Sequence, residues 1–178
     1  MTRYISNPDA RETGAPVIRR ATEADAEAIH GLVLDLAESI GLTHKVASSA
    51  QDIRSHGFGA EAAFEALIAD WNGTAVGLCL FFESFSSWDG RRGVYVQDLF
   101  VSEAARGLGL GRRLLAEAAA LSAARGGSYL RLAVDSGNAA AHAFYEHVGL
   151  RRAAEERIYQ ARGDDFAALV ESGKRTDS

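Results

Sequence analysis

At 178 residues with 47% apolar content, the chain has enough material for one sizeable core, and the expectation is a single domain. Lys and Arg number 19 against 24 Asp and Glu, a net charge of −5, which argues against general nucleic-acid binding and mildly favours a cationic substrate. A single cysteine excludes an intramolecular disulfide, no apolar run is long enough to span a bilayer and no signal peptide is visible, so the expected location is cytoplasmic.

Residues 1–15 carry no periodic apolar pattern and are expected to form a flexible tail, with the domain over 16–171 and a second tail over 172–178. Val17-Ile18-Arg19 predicts a first strand. Thr22 and Asp25 have the spacing of an acid-type capping box, ahead of a helix whose apolar stripe includes Ala26, Ile29, Val33 and Leu36. From Gly41 to Gly59 the pattern predicts a loop with a short helix around Ala50 to Ser55. Phe64 to Trp71 and Thr74 to Phe85 predict a hairpin across Asn72-Gly73. Cys79 lies in the apolar run Val76 to Phe82 and is expected as a core thiol rather than a nucleophile. Gly93 to Val101 predicts a strand, Leu110 to Arg125 a long helix and Tyr129 to Val134 another strand. Asn138 is a good N-cap for a helix that contains Phe144-Tyr145 and stops at Gly149-Leu150. Arg157 to Ala161 predicts a last strand, and Asp164 to Val170 a short helix. No internal repeat or linker marks a second domain.

The most informative segment is Arg106-Gly107-Leu108-Gly109-Leu110-Gly111, between an apolar strand and a long helix. Glycines let successive N–H groups point into one concavity, and the helix N-terminus adds partial positive charge. Together they make a seat for a pyrophosphate, with Arg106, Arg112 and Arg113 supplying cations. A Walker loop would end in Lys-Ser/Thr, where this chain has Arg112-Arg113. The dinucleotide fingerprint is Gly-x-Gly-x-x-Gly near the start of a βαβ unit, whereas this Gly-x-Gly-x-Gly lies past the middle of the chain.

The loop instead resembles the Gln/Arg-x-x-Gly-x-Gly/Ala signature of the GNAT acetyltransferases, carried by Arg106, Gly109 and Gly111. Asn138, followed by Phe144-Tyr145 and then Gly149, looks like the second half of that family's site. The resemblance narrows to the diamine (spermidine/spermine) and thialysine branch. Val17-Ile18-Arg19-x-Ala21-Thr22-x-x-Asp25, His56-Gly57-Phe58-Gly59, Trp88-x-Gly90 and Tyr95-x-x-Asp98-x-Phe100-Val101 carry it, across Pro16 to Leu169. It implies an α+β (mixed α/β) GNAT fold, a central mixed, mostly antiparallel sheet flanked by helices on both faces. It also implies acetyl-CoA as cosubstrate, a small primary amine as acceptor, no metal, and a homodimer joined through the last strands.

By the same resemblance, acetyl-CoA is held by Leu99, Phe100 and Val101 on the strand before the loop, by the loop residues Arg106, Gly107, Leu108, Gly109, Leu110, Gly111 and Arg112, and by Asn138, Ala141 and Tyr145. The backbone N–H of Phe100 is expected to polarise the thioester carbonyl, and Tyr145 to protonate the departing thiolate. The family's Glu is replaced by Gln97, beside Asp98. An amide positions a water but cannot take its proton, and Asp98 faces away from the side of Gln97 unless a bulge intervenes. Glu155, Glu156 and His142 are further candidates, and the base is left unassigned. Trp88, Gln97, Asp98, Glu155 and Glu156 are the expected acceptor-binding residues. The family's polyamine-binding acids align with uncharged Ile40 and Thr43, so a short diamine or a lysine-like amino acid is as consistent as spermidine. Two alternatives stay open: acetylation of a protein N-terminus or lysine on the same fold, and a non-catalytic acyl-CoA-binding domain.

Overall fold

The computed structural model describes residues 14–174, which fall into two compact units, one ending at Ala139 and the other starting at Ala140. Most of the tail expected over 1–15 lies outside the described residues.

The first unit carries a five-stranded sheet whose spatial order follows the chain: β1 (Val17–Arg20), β2 (Glu65–Trp71), β3 (Thr74–Ser86), β4 (Arg91–Val101) and β5 (Gly127–Leu132). Neighbours are antiparallel except β4 and β5, which are parallel. That parallel step needs a crossover, and α3 (Leu110–Ala124) supplies it. The β2–β3 turn is the one the sequence predicts: Asn72 and Gly73 both take positive φ, 54° and 79°, as a two-residue type I′ turn requires.

Helices α1 (Ala26–Ser39) and α2 (Ala50–Gly57) cover one face. Ala26, Ile29 and Leu32 of α1 and Ile53 of α2 pack on Ala66, Ile68, Leu78, Leu80 and Phe100. The predicted Thr22/Asp25 pair forms, but it frames a 3-10 turn that leads into α1. The Asp25 carboxylate accepts from the Thr22 N–H at 2.7 Å and from both terminal nitrogens of Arg19 at 2.7 and 2.8 Å. The Arg19 guanidinium, helped by Thr22, holds the Asp25 carboxyl well below the usual carboxylate range.

The opposite face belongs to α3, whose Leu110, Leu114, Leu115 and Ala118 are buried. A Cβ on Gly77 would stand 3.3 Å from Leu114 Cδ1, so the missing side chain lets α3 settle on β3. Arg125, which caps the C-terminus of α3, binds Glu65 and Glu83, joining two strands to the negative end of the helix. Cys79 is fully buried, and burial pushes its thiol up to about 12, as expected of a core cysteine.

The second unit comprises the rest of α4 (Ala139–His147) and α5 (Asp164–Lys174). Gly149, at φ 96°, ends α4 in a Schellman motif: its N–H bonds the Glu146 carbonyl and that of Leu150 bonds Tyr145. The strand expected over Arg157 to Ala161 does not form. A strand exists by pairing, and the polar run before it, Arg151 to Glu156, provides no partner; Ile158 and Tyr159 are exposed. No helix among the described residues is long and apolar enough to cross a membrane.

Candidate active site

The register of β4 builds the site. Leu80 pairs with Asp98 and the next residue, Phe81, pairs with Val96, so Gln97 is the extra residue of a β-bulge. Asp98 therefore lies across from Leu80 on the face that α1 covers, in step with Phe100 across from Leu78. It is half-buried, its carboxylate makes no hydrogen bond or ion pair among the described residues, and burial raises its carboxyl above the usual carboxylate value. Gln97 is exposed.

Past the bulge, β4 has an open edge. Its pairing with β5 ends at Val96 opposite Leu132, leaving 97–101 without a paired strand on that side among the described residues. The ladder phase decides which groups face the gap. The Ser102 N–H donates to the Val76 carbonyl at 2.9 Å, and hydrogen-bonded pairs alternate along an antiparallel ladder. Phe100 thus spends its N–H on Leu78, while Leu99 and Val101 turn theirs outward. This corrects the expectation for Phe100: its side chain is core, and the N–H groups available to a thioester are those of Leu99 and Val101.

The glycine loop follows directly. Gly107 and Gly109 sit at φ 81° and 72°, and a Cβ on either would meet nothing within 4 Å. Gly109 is the N-cap of α3, no side chain among the described residues caps the helix and no acid sits in its first turn. The first N–H groups of α3 thus lack helical partners at an end that already holds Arg112 and Arg113. An uncapped, doubly cationic helix start with open glycines fits a pyrophosphate. The arginines divide the work differently from expectation. Arg113 donates to the Pro16 carbonyl at 3.2 and 3.3 Å, Arg106 Nε donates to the Val101 carbonyl at 3.2 Å, and Arg112 is exposed. Leu108 is 46% exposed, while Leu110 is core and contributes only its backbone.

Matches to known proteins agree with this geometry. The model of the acetyltransferase (GNAT) family matches residues 33–150. The chain belongs to the GNAT family. Thialysine N-epsilon-acetyltransferase of Mus musculus is 33% identical over 140 residues, 74% of this chain and 82% of that protein. The Bos taurus protein of the same name is 33% identical over 141 residues, 75% of this chain and 82% of its own length. An integron cassette protein from the mobile metagenome of V. cholerae shares the fold, with a TM-score of 0.76 at 22% identity over 89% of this chain and 99% of that one. The expected fold and family stand, and the chain is an acetyl-CoA-dependent N-acetyltransferase of this family.

The remaining predicted residues lie on other elements. Trp88, 98% exposed, sits in the β3–β4 turn. Leu80, opposite Asp98, is about 20 Å of strand from the end of β3, so within one chain Trp88 does not reach Asp98. Asn138 immediately precedes α4, after a turn in which the Gly137 N–H donates to the Asp135 carboxylate at 2.8 Å. In the second unit, Ala141, His142 and Tyr145 are half-buried on α4, and the Tyr145 ring meets Phe144 edge-on at 5.2 Å. Glu155 and Glu156 are exposed in an irregular segment. The ladder phase is what the sequence reading missed; the bulge it named only as the condition that would change the facing of Asp98.

Proposed function

We propose that the chain transfers acetyl from acetyl-CoA to the primary amine of a small, lysine-like or diamine substrate, as one catalytic domain over 16–171. The observation that carries the reading is the open edge of β4, where outward N–H groups run straight into an uncapped glycine loop. The relatives' name, thialysine N-epsilon-acetyltransferase, supports the amine class. The coenzyme pyrophosphate lies on the loop backbone from Gly107 to Arg112, and the thioester carbonyl accepts from the Leu99 N–H. Asn138 and Ala141 hold the pantetheine arm. The amine nitrogen attacks the carbonyl carbon and the C–S bond breaks. Tyr145 gives its proton to the thiolate, a role carried by the resemblance.

The amine must lose a proton, and Asp98 is the carboxylate that takes it. Its burial makes it a stronger base than an exposed aspartate, whereas Gln97 only positions the amine or a water. Work as a cytoplasmic homodimer belongs to the same reading, with Trp88 and the Glu155-Glu156 pair as contributors to the acceptor side. Thiol release from acetyl-CoA across a panel of lysine, ornithine, diamines, peptide N-termini and peptide lysines tests it. Turnover confined to small amines is expected. Tight acetyl-CoA binding with no acceptor would favour a non-catalytic acyl-CoA-binding domain.

A further inference from the structure

The bulge has a second effect on the α1-covered face. Asp98 and Tyr95 are three residues apart, a spacing that puts strand side chains on opposite faces. The extra residue restores the phase: Asp98 lies across from Leu80 and Tyr95 across from Phe82. The Phe82 and Tyr95 rings stack at 5.1 Å and both are half-buried. They follow Asp98 by one strand repeat, about 7 Å. The Tyr129 ring comes next, occupying the space a side chain on Gly93 would need, with its hydroxyl 3.1 Å from that of Ser84. Arg131, two residues beyond Tyr129 on β5 and in register with Tyr95, stands on the same face and is exposed.

This face thus offers a carboxylate without a counter-charge, an apolar aromatic floor one repeat along the strand, and a guanidinium beside that floor on β5. We infer that this row is the acceptor subsite and that it selects an amino acid carrying a side-chain amine over the corresponding diamine. Asp98 takes the reacting ammonium, the aliphatic stem lies on the Phe82–Tyr95 pair, and Arg131 takes the carboxylate. Arg131 has five N–H donors in a fork matched to a carboxylate, so it accommodates a substrate beside a protein partner. A diamine would bring its second cation against that guanidinium instead.

The inference rests on the acetyltransferase reading, and one comparison separates the two. Lysine and 1,5-diaminopentane differ only by the carboxylate. The full chain is expected to show the higher kcat/KM for lysine, acetylated on its side-chain amine. Arg131→Gln should lower the lysine-to-diamine ratio roughly ten- to a hundredfold, with Arg131→Lys restoring part of it. Tyr95→Leu should raise KM for both amines while the affinity for coenzyme A stays unchanged. A wild-type preference for the diamine, or a ratio unmoved by Arg131→Gln, overturns the inference and leaves the acetyltransferase reading intact. If neither amine is turned over, calorimetry on the coenzyme A complex decides. Lysine binding that Arg131→Gln weakens keeps the subsite and removes the reaction, and no lysine binding removes the subsite too.

Discussion

Gly109→Val places a side chain at the position on which coenzyme binding depends. Gly109 has φ 72°, and no atom lies within 4 Å of the point where its Cβ would stand. In the free protein the substitution therefore causes no clash, only the backbone strain of an L-residue in left-handed geometry, about 1–2 kcal/mol. For a domain of this length that lowers Tm by roughly 2–8 °C, which leaves a folded protein. In the complex the same side chain fills the space in front of the first N–H groups of α3, and coenzyme A binding should fall below detection. Gly90→Val is the matched control: φ is 63°, the space is again open, and the β3–β4 turn stands at the other end of β4 from the glycine loop. Thermal melts of both variants, with calorimetry against coenzyme A, separate strain from occlusion. Similar Tm losses with binding lost only in Gly109→Val are expected. Wild-type affinity in a folded Gly109→Val variant would refute the phosphate seat and the reading built on it.

Tyr145→Phe should lower kcat by roughly ten- to ten-thousand-fold with little change in coenzyme binding; undiminished turnover in stopped-flow thiol release would reduce Tyr145 to a packing residue. Gln97→Glu should add a second base beside Asp98, raising kcat/KM most for amines of high pKa and moving the alkaline rise of the pH–rate profile to lower pH, and superimposable profiles would show that a carboxylate at 97 takes no part in removing the proton. Asp25→Asn removes a carboxylate whose folded pKa lies below its ordinary 3.8, chiefly through Arg19. Its contribution is complete above about pH 4 and is lost as the pH falls further. The stability gap between wild type and Asp25→Asn in urea melts should thus shrink between about pH 7 and about pH 2.5, and a constant gap would contradict the assignment.

Local chemistry made much of the fold legible. Asn72-Gly73 announces a type I′ turn because both positions need positive φ, and Gly149 announces the end of α4 for the same kind of reason. The glycine loop was legible because its glycines have little other use in front of a helix. The β4 bulge was not. Helices cover both faces of that strand, so apolar residues occur on either side of the phase change and period-two alternation gives no signal. The outward N–H groups were misassigned to Phe100 for the same reason, since ladder phase is a property of two strands. Arg157 to Ala161 has the composition of a strand, but composition does not supply a partner. The ion pairs of Arg125 with Glu65 and Glu83 join residues far apart in the chain, which only the folded sheet brings together.

The bulge also separates two kinds of mutational tolerance. Gln97 has no partner in the ladder, so many residues can stand there without disturbing the sheet, and side-chain exchange at this position tunes chemistry rather than folding. Removing the residue altogether is a different event. Deletion of Gln97 would rejoin a regular ladder and reverse the facing of everything on one side of it. Either Asp98 and Phe100 swing to the α3 face, or Tyr95 leaves Phe82. In a library containing both substitutions and single-codon deletions, position 97 should be permissive to the first and silenced by the second. What is inherited at this point is a length of chain, and the letter written there is secondary.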